Sequence, residues 1–372
     1  MKYRECLLFV AKCLTLDQFP DRVAEVREEI AANRINWEKV VLLSSAQLVL
    51  PAFYLQLKRN GLLPDLSKNL TKYLSDLTEL NRERNLSILA QTEEITSLLN
   101  EHNIQPLFLK GTAHLLYGLY NDIAERMLGD VDILLPEDRM VEAAEILIGK
   151  GFKSILEFKP GLLSEIKHYP RLQNLDYPAA VEFHREILDF PNQKILRAVE
   201  ILNDKQKVNV GGGVAFIPSV QKLMIHNVLN SQIGDRAFVN GDILLRQLYD
   251  FLLLSQNKDA LQAVEKFDKK RHLFNSYFAQ FNFVFSDRVG IDYRQTFRTR
   301  FFLRRLTILT DHPTLSKIYR IILYLVYRIS RSATFIVLSV FRKDTRKFVA
   351  SRLTDRKWYA GHIRSYVSFL KK

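Results

Sequence analysis

Over the first hundred residues, apolar side chains recur at three- and four-residue steps. The clearest run, Leu70 to Leu99, contains no Gly or Pro and repeats Leu and Ile with helical spacing. Upstream, Ile35 and Trp37 lead into VVLLSSAQLVLPAFYLQLKR, whose apolar positions are too dense for a solvated loop. Asn103 and Pro106 then break the pattern. The spacing predicts a helical region over 1–102 whose apolar faces serve core packing rather than binding.

From Gln105 the texture changes. PLFLKG reads as a short strand, TAHLLYGLY as a helix, and GDVDILLP as a strand closed by Pro136. EDRMVEAAEILIGKG is an amphipathic helix with Gly151 placed as its C-cap. FKSILEF reads as a further strand. AAVEFHREI alternates, with Val181, Phe183 and Arg185 on one side and Glu182, His184 and Glu186 on the other. NVGGGVAFIP reads as a hairpin or loop. The predicted outcome is a small α/β unit, a mixed sheet with helices packed on it. After Pro218 helical spacing returns in SVQKLMIHNVLNS, in NGDILLRQLYDFLLLSQN with Asp242 as an expected N-terminal cap, and in ALQAVEKFDKKRHLFNSYFAQFNFVF. Four regions are expected: 1–102 helical, 103–217 the sheet-containing core, 218–290 helical, and 291–372 a basic, apolar-rich helical tail.

Composition refines this in three ways. The 372 residues, 47% hydrophobic and 26% charged, suit a folded chain of two or three domains. Cys6 and Cys13, the only cysteines, form neither a disulfide framework nor a cysteine-rich zinc site, so a reducing compartment is expected. MKYRECLLFVAKCLTLDQF lacks the uninterrupted apolar core of a signal peptide. The net charge of +13 is uneven: residues 291–372 hold 19 Lys/Arg against 4 Asp/Glu, and residues 1–290 hold 35 against 37. Such a tail favours an anionic neighbour. Within it, Arg320, Arg328 and Arg331 interrupt the apolar run from Lys317 to Lys343, which argues against a membrane-spanning helix. Two readings stay open for residues 317–343: an interfacial helix on an anionic membrane surface, or a helix pair packed on the core with a basic outer face. Nucleic acid is not an expected partner, because no recognised nucleic-acid motif accompanies the charge. The expected location is cytoplasmic, with peripheral contact at the inner face of a membrane as an extension of the first reading.

The chemistry centres on Asp130 and Asp132, set among Val131, Ile133, Leu134 and Leu135 where carboxylates are costly to desolvate. They could be a turn aspartate followed by a partly exposed edge aspartate. Alternatively they are metal ligands, because strand alternation points both to one face roughly 6–7 Å apart. Magnesium takes oxygen ligands at about 2.1 Å, and two ions about 3.5–4 Å apart can clamp an in-line displacement. Glu182 is the expected third carboxylate, from a neighbouring strand. Gly111 and Thr112 sit at a strand-to-helix junction where backbone could approach a phosphate, although Thr112 could simply cap a helix.

These motifs carry a resemblance. LKGTA, a following tyrosine, Arg126, GDVDILL and the later Glu182-Phe183-His184 resemble the nucleotidyltransferase fold of polymerase-beta-like enzymes. More closely, the chain is similar to the bacterial family of uncharacterised nucleotidyltransferase-like proteins, over residues 30 to about 255. That family usually has aspartate where Glu182 stands, and histidine is common near Gln47. The resemblance implies an α+β fold, a small mixed β-sheet nucleotidyltransferase core flanked by N-terminal and C-terminal helical regions. It implies Asp130, Asp132 and Glu182 as catalytic metal ligands for Mg2+ or Mn2+. Lys110, Gly111, Thr112 and Arg126 would bind nucleotide phosphates, and His184 would serve as a supporting or acceptor-contacting residue. Lys110 and Arg126 could equally pair with the acidic cluster. His226 on an apolar helix reads as a satisfied packing residue, and Asp250 as a cap or binding group without assigned chemistry; His114 and Tyr117 carry no functional signal. The implied activity is transfer of a nucleoside monophosphate from an NTP, ATP foremost, to a small molecule, a glycan or lipid precursor, or a peptide or protein. The competing expectation is an inactive binding or scaffold protein on the same fold.

Overall fold

The computed structural model describes residues 1–155, 167–285 and 290–341, with residues 346, 349–350, 355 and 359–361. The end of the expected FKSILEF strand and residues 342–343 of the tail segment lie outside the described residues. Two units divide the chain. The first comprises residues 1–158 and 165–307, the second residues 159–164 and 308–372.

Four short helices open the first unit: α1 (Tyr3–Cys13), α2 (Arg22–Ala31), α3 (Trp37–Ala46) and α4 (Leu50–Arg59). Cys6 and Cys13 are free thiols buried in α1 beside Leu7, Phe9 and Val10. Helix α5 (Lys68–Glu101) runs for 34 residues from Ser67, whose side chain accepts a hydrogen bond from the Leu70 N–H.

The buried side of α5 is not purely apolar. Leu74, Ile88, Ile95 and Leu99 share it with Thr78, Asn81, Asn85, Gln91, Thr92 and Thr96. The amides clasp backbone elsewhere. Asn81 donates to the Ala124 carbonyl at 2.8 Å, and Asn85 to those of Ile123 and Arg126 at 2.6 and 2.8 Å. Gln91 exchanges two bonds with Ala179. Arg84 donates to the Leu128 carbonyl at 2.8 Å. Irregular backbone can be buried only where its polar groups find partners, and α5 supplies them to the segment that leads into the Asp130–Asp132 strand.

Beyond α5 come β1 (Leu107–Phe108), α6 (Lys110–Leu116), β2 (Val131–Leu134), α7 (Glu137–Gly149), β3 (Lys153–Ser154), β4 (Leu172–Gln173), β5 (Val181–His184), α8 (Ala198–Leu202), β6 (Lys205–Val210) and β7 (Gly213–Pro218). The strands form one seven-stranded mixed sheet in the order β3-β4-β5-β2-β1-β7-β6. β2 lies parallel to β5 and antiparallel to β1, and β1 lies parallel to β7. All four residues of β2 are buried, as expected of an interior strand covered on both faces. β6 and β7 are the hairpin expected at NVGGGVAFIP. This is the α+β arrangement expected: a mixed sheet core between helical regions.

The sheet is followed by α9 (Val220–Leu229), a π-helical turn at Asn230–Gly234, α10 (Ala237–Asn240), α11 (Leu245–Leu254), α12 (Lys258–Glu265) and α13 (Arg271–Phe285). Edge-to-face contacts of Phe251 with Tyr277 and Phe281, at 5.2 and 5.5 Å, join α11 to α13. The expected capping role of Asp242 is corrected. Helix α11 starts at Leu245 with Leu244 at its N-cap, without a side-chain cap. The Leu245 N–H donates instead to Gln47 Oε1 at 2.9 Å, and Asp242 accepts from Asn240. A distant glutamine fills the place that local sequence would give to the aspartate.

Helix α14 (Phe297–Asp311) and α15 (Pro313–Phe341) follow. In α15, Ile318, Ile322, Val326 and Ile329 are exposed. No helix among the described residues is long and apolar enough to cross a membrane.

Candidate functional site

Asp132 in β2 and Glu182 in β5 are direct partners across the parallel pair, so both side chains leave the same face of the sheet. His184, two residues further along β5, joins them. Its Nε2 lies 2.8 Å from Asp132 Oδ1 and 3.6 Å from Glu182 Oε2. One donor atom from each of Asp132, Glu182 and His184 falls within 4.8 Å of the others.

Lys110 completes the cluster. Its Nζ lies 2.5 Å from Asp132 Oδ1. The aim comes from the backbone, because Lys110 adopts φ 49°, in the left-handed region, where β1 turns into α6. For a residue with a side chain that conformation costs of order 1 kcal/mol or more and persists only where the surroundings impose it. Here the preceding Leu109 N–H is tied to the Asp132 carbonyl at 2.9 Å, so one strand position fixes both the lysine and its target.

The electrostatics follow from these contacts. Burial pushes the Asp132 carboxyl up, but the Lys110 ammonium and the His184 N–H outweigh it and hold the group far below the usual carboxylate range. The nearby His184 imidazole lowers Glu182 against its own burial and the Asp132 charge. Lys110 is raised because Asp132 and Glu182 overcome its desolvation. Both carboxylates are therefore ionised at neutral pH.

Asp130 stands one turn of the pleat upstream and is ion-paired with Arg171. Burial raises its carboxyl against the pull of Arg171, and the Glu182 and Asp132 charges raise it further. It borders the acidic cluster without belonging to the group of donor atoms that converges. Gly111 and Thr112 are interior residues. A Cβ on Gly111 would meet Leu128 Cδ2 at 2.3 Å, so the missing side chain makes room for Leu128. Thr112 Oγ1 is buried without a hydrogen-bond partner among the described residues.

Arg126 sits in a second cluster. Its Nε and Nη2 lie 3.1 and 3.0 Å from Asp250 Oδ2, and Nη1 donates to the Met127 carbonyl at 2.7 Å. Tyr120 donates to Asp250 Oδ1 at 2.6 Å, and His114 Nδ1 lies 3.6 Å from Oδ2. Arg126 is 6% and Asp250 1% exposed. Burial raises the Asp250 carboxyl, yet Arg126, His114 and Tyr120 bring it down to about 2. His226 is buried too, but unlike the satisfied packing histidine expected, its side chain makes no hydrogen bond among the described residues.

Two contributors left no sequence signal. His168 packs its ring 5.2 Å from that of His184 and holds the Tyr169 carbonyl through Nδ1. Arg171 carries no local signal either; its approach to Asp130 depends on the β4–β5 pairing, which local pattern does not specify.

Two ionised carboxylates and an imidazole within one small volume are a donor set that suits a divalent metal. The cluster already attracts a cation, Lys110, to the carboxylate at its centre.

The model of a protein family described as uncharacterised nucleotidyltransferase matches residues 33–276, from the N-terminal helices into α13. The chain belongs to that family, within the polymerase-beta superfamily. The match takes in every residue of both charged clusters. Comparison with curated proteins and with solved structures gives no match. Family membership and the Asp132–Glu182–His184 cluster together support a nucleotidyltransferase-like fold with a candidate metal-binding site.

Proposed function

We propose that the protein is an enzyme that transfers a nucleoside monophosphate from an NTP, ATP foremost, to an acceptor hydroxyl or phosphate, with release of pyrophosphate and dependence on Mg2+ or Mn2+. The observation that carries this reading is the register match of Asp132 with Glu182, which sets two ionised carboxylates side by side on an interior sheet face with His184 at their edge.

Asp132 and Glu182 supply the oxygen donors. When bound, the metal would offset negative charge on the phosphate oxygens during displacement. His184 holds the orientation of Asp132 through its Nε2–H, leaving Nδ1 as a buried bare acceptor. Lys110 has a double use: it neutralises Asp132 in the absence of other cations and can turn its ammonium to a phosphate oxygen when that role is taken over. Asp130 flanks the cluster under the control of Arg171. The acceptor belongs to the classes of small molecule, glycan or lipid precursor, and peptide or protein.

Titration of the full chain with Mn2+ and a non-hydrolysable ATP analogue, followed by pyrophosphate-release assays over an acceptor panel, tests the proposal. Saturable binding that is lost in Asp132→Asn supports it. Equal, negligible binding in wild type and variant would instead support the inactive scaffold reading. The observation favouring that second reading is that Lys110 and His184 already satisfy Asp132 without any ion.

A further inference from the structure

Behind Lys110 lies a small cavity lined by Lys110, Arg126, His226, Asn230, Arg246 and Gln247, with Asp250 in its wall. Its volume of about 50 Å³ holds roughly three to five water molecules on that measure. A nucleoside does not fit; a single small group does.

The charges lining the cavity do not balance. Three cationic side chains, Lys110, Arg126 and Arg246, face one carboxylate, Asp250. Lys110 is engaged by Asp132, and Arg126 commits its three nitrogens to Asp250 and the Met127 carbonyl. Arg246 differs. It donates one bond, from Nη1 to the Met127 carbonyl at 3.1 Å, and has no carboxylate partner among the described residues. Asp235, the next acidic group, is occupied by the side-chain amides of Gln247 and Asn230 at 2.5 and 3.1 Å. Burial and the neighbouring Arg126 push the Arg246 guanidinium down to about 10, so it stays charged at neutral pH while lacking a counter-ion. Arg246 sits on the first turn of α11, whose N-terminus adds positive potential even though the Gln47 side chain accepts from the Leu245 N–H.

His226 is a second, independent pointer. It is 2% exposed, lines the cavity, and its imidazole has no hydrogen-bond partner among the described residues. Buried polar groups without partners are uncommon, and a ligand atom in the cavity would give this one its partner. Burial and the Lys110 charge keep the ring neutral, so it can donate one hydrogen bond without adding charge.

We propose that this cavity is a subsite for one phosphate group, gripped by Arg246 and hydrogen-bonded by His226, with Arg126 and Asp250 as its rigid wall. The planar fork of arginine suits two-point contact with phosphate oxygens. Arg126, by sequence the expected phosphate-binding arginine, is a positioning residue here, and Arg246 takes the anion. The inference rests on the transferase reading only in that Lys110 borders both the cavity and the acidic cluster. The phosphate has two possible sources, the pyrophosphate part of the NTP or a phosphate already on the acceptor.

The test is calorimetric titration of the full chain, in EDTA, with inorganic pyrophosphate and separately with glycerol 3-phosphate. Wild type is compared with Arg246→Gln, Arg246→Lys and His226→Gln, each checked for a cooperative unfolding transition. Arg246→Gln should weaken the tighter-binding anion by about tenfold or more, the scale of a lost charge-assisted bidentate contact. Arg246→Lys should retain part of that affinity. Tighter pyrophosphate binding assigns the subsite to the NTP, and tighter glycerol 3-phosphate binding to the acceptor. Unchanged affinity in Arg246→Gln, or no binding of either anion to wild type, overturns the proposal. Mn2+ binding, followed by electron paramagnetic resonance in the same variants, separates this from the transferase reading. Mn2+ bound without Arg246-dependent anion binding sinks the subsite alone; Arg246-dependent anion binding without Mn2+ sinks the metal-dependent transferase alone.

Discussion

The two charged clusters beside Lys110 are built alike and biased oppositely. In the first, Asp132 and Glu182 share the cationic charge of Lys110, with Asp130 and Arg171 at the margin. In the second, Arg126 pairs with Asp250, and Arg246 lines the same cavity without a carboxylate partner among the described residues. Each buries an ion pair at its centre and leaves one charge of the majority sign without a matching partner. A buried pair is weak evidence for stability on its own, since desolvation offsets most of the Coulombic gain. An unmatched charge beside it is more informative, because it sets the sign of what can bind. One pocket is therefore suited to a metal cation and its neighbour to an anion, with a lysine on the boundary of both.

The largest effect should come from breaking the second cluster. Asp250→Ala leaves Arg126 buried without its carboxylate, and urea unfolding should show a loss of about 3–5 kcal/mol. A loss below 1 kcal/mol would mean that water or rearrangement compensates Arg126, and the rigid-wall picture would fail. The first cluster should respond in binding instead. Asp132→Asn should weaken Mn2+ by about 100-fold or more, beyond the 10–100-fold typical of outer-sphere losses, as read by paramagnetic titration.

A pH series sharpens the comparison. The unfolded His226 takes up a proton below its ordinary value of 6.5, whereas the folded ring, held well below that value, does not. The unfolded state then binds more protons, so stability falls as pH drops below 6.5, by up to about 1.4 kcal/mol per pH unit for this one group. His226→Gln should flatten that limb between pH 6.5 and 5 relative to wild type; an unchanged slope would assign it to other groups. Asp250 acts at lower pH. Its depressed carboxyl contributes stability above the unfolded value near 3.8, and that contribution is lost as pH falls towards about 2.

The smallest effect is expected at the margin. Asp130 and Arg171 are both partly exposed, at 27% and 44% of their side chains, and Asp130→Asn should cost no more than about 1 kcal/mol. Its Mn2+ affinity is the sharper measurement. A loss as large as that of Asp132→Asn would bring Asp130 into the metal shell, as the family resemblance implies.

What could be read from sequence is what local periodicity encodes. The two-residue period of GDVDILL and AAVEFHREI carries β2 and β5, and with them the common face of Asp132, Glu182 and His184. The mixed sheet between helical regions was legible for the same reason. Other features depend on contacts that no short window contains. Asn81, Asn85 and Gln91 would read as polar helix positions facing water, yet they face inward because the loop they clasp lies some forty to ninety residues downstream. Arg246 sits in an ordinary amphipathic helix, and its unmatched charge emerges only where α11 meets α9 and α6 around the cavity. Gly111 fits a phosphate loop by pattern, and a contact no short window contains, a Cβ meeting Leu128 Cδ2, adds a packing reason for its lack of a side chain.

The clasp made by α5 limits how far the protein can be pared down. Without that helix, the carbonyls of Ile123, Ala124, Leu128 and Ala179 would lose the donors that let this backbone lie indoors. The sheet and its two clusters are thus not an excisable cartridge. The smallest transplantable unit must begin upstream of Ser67.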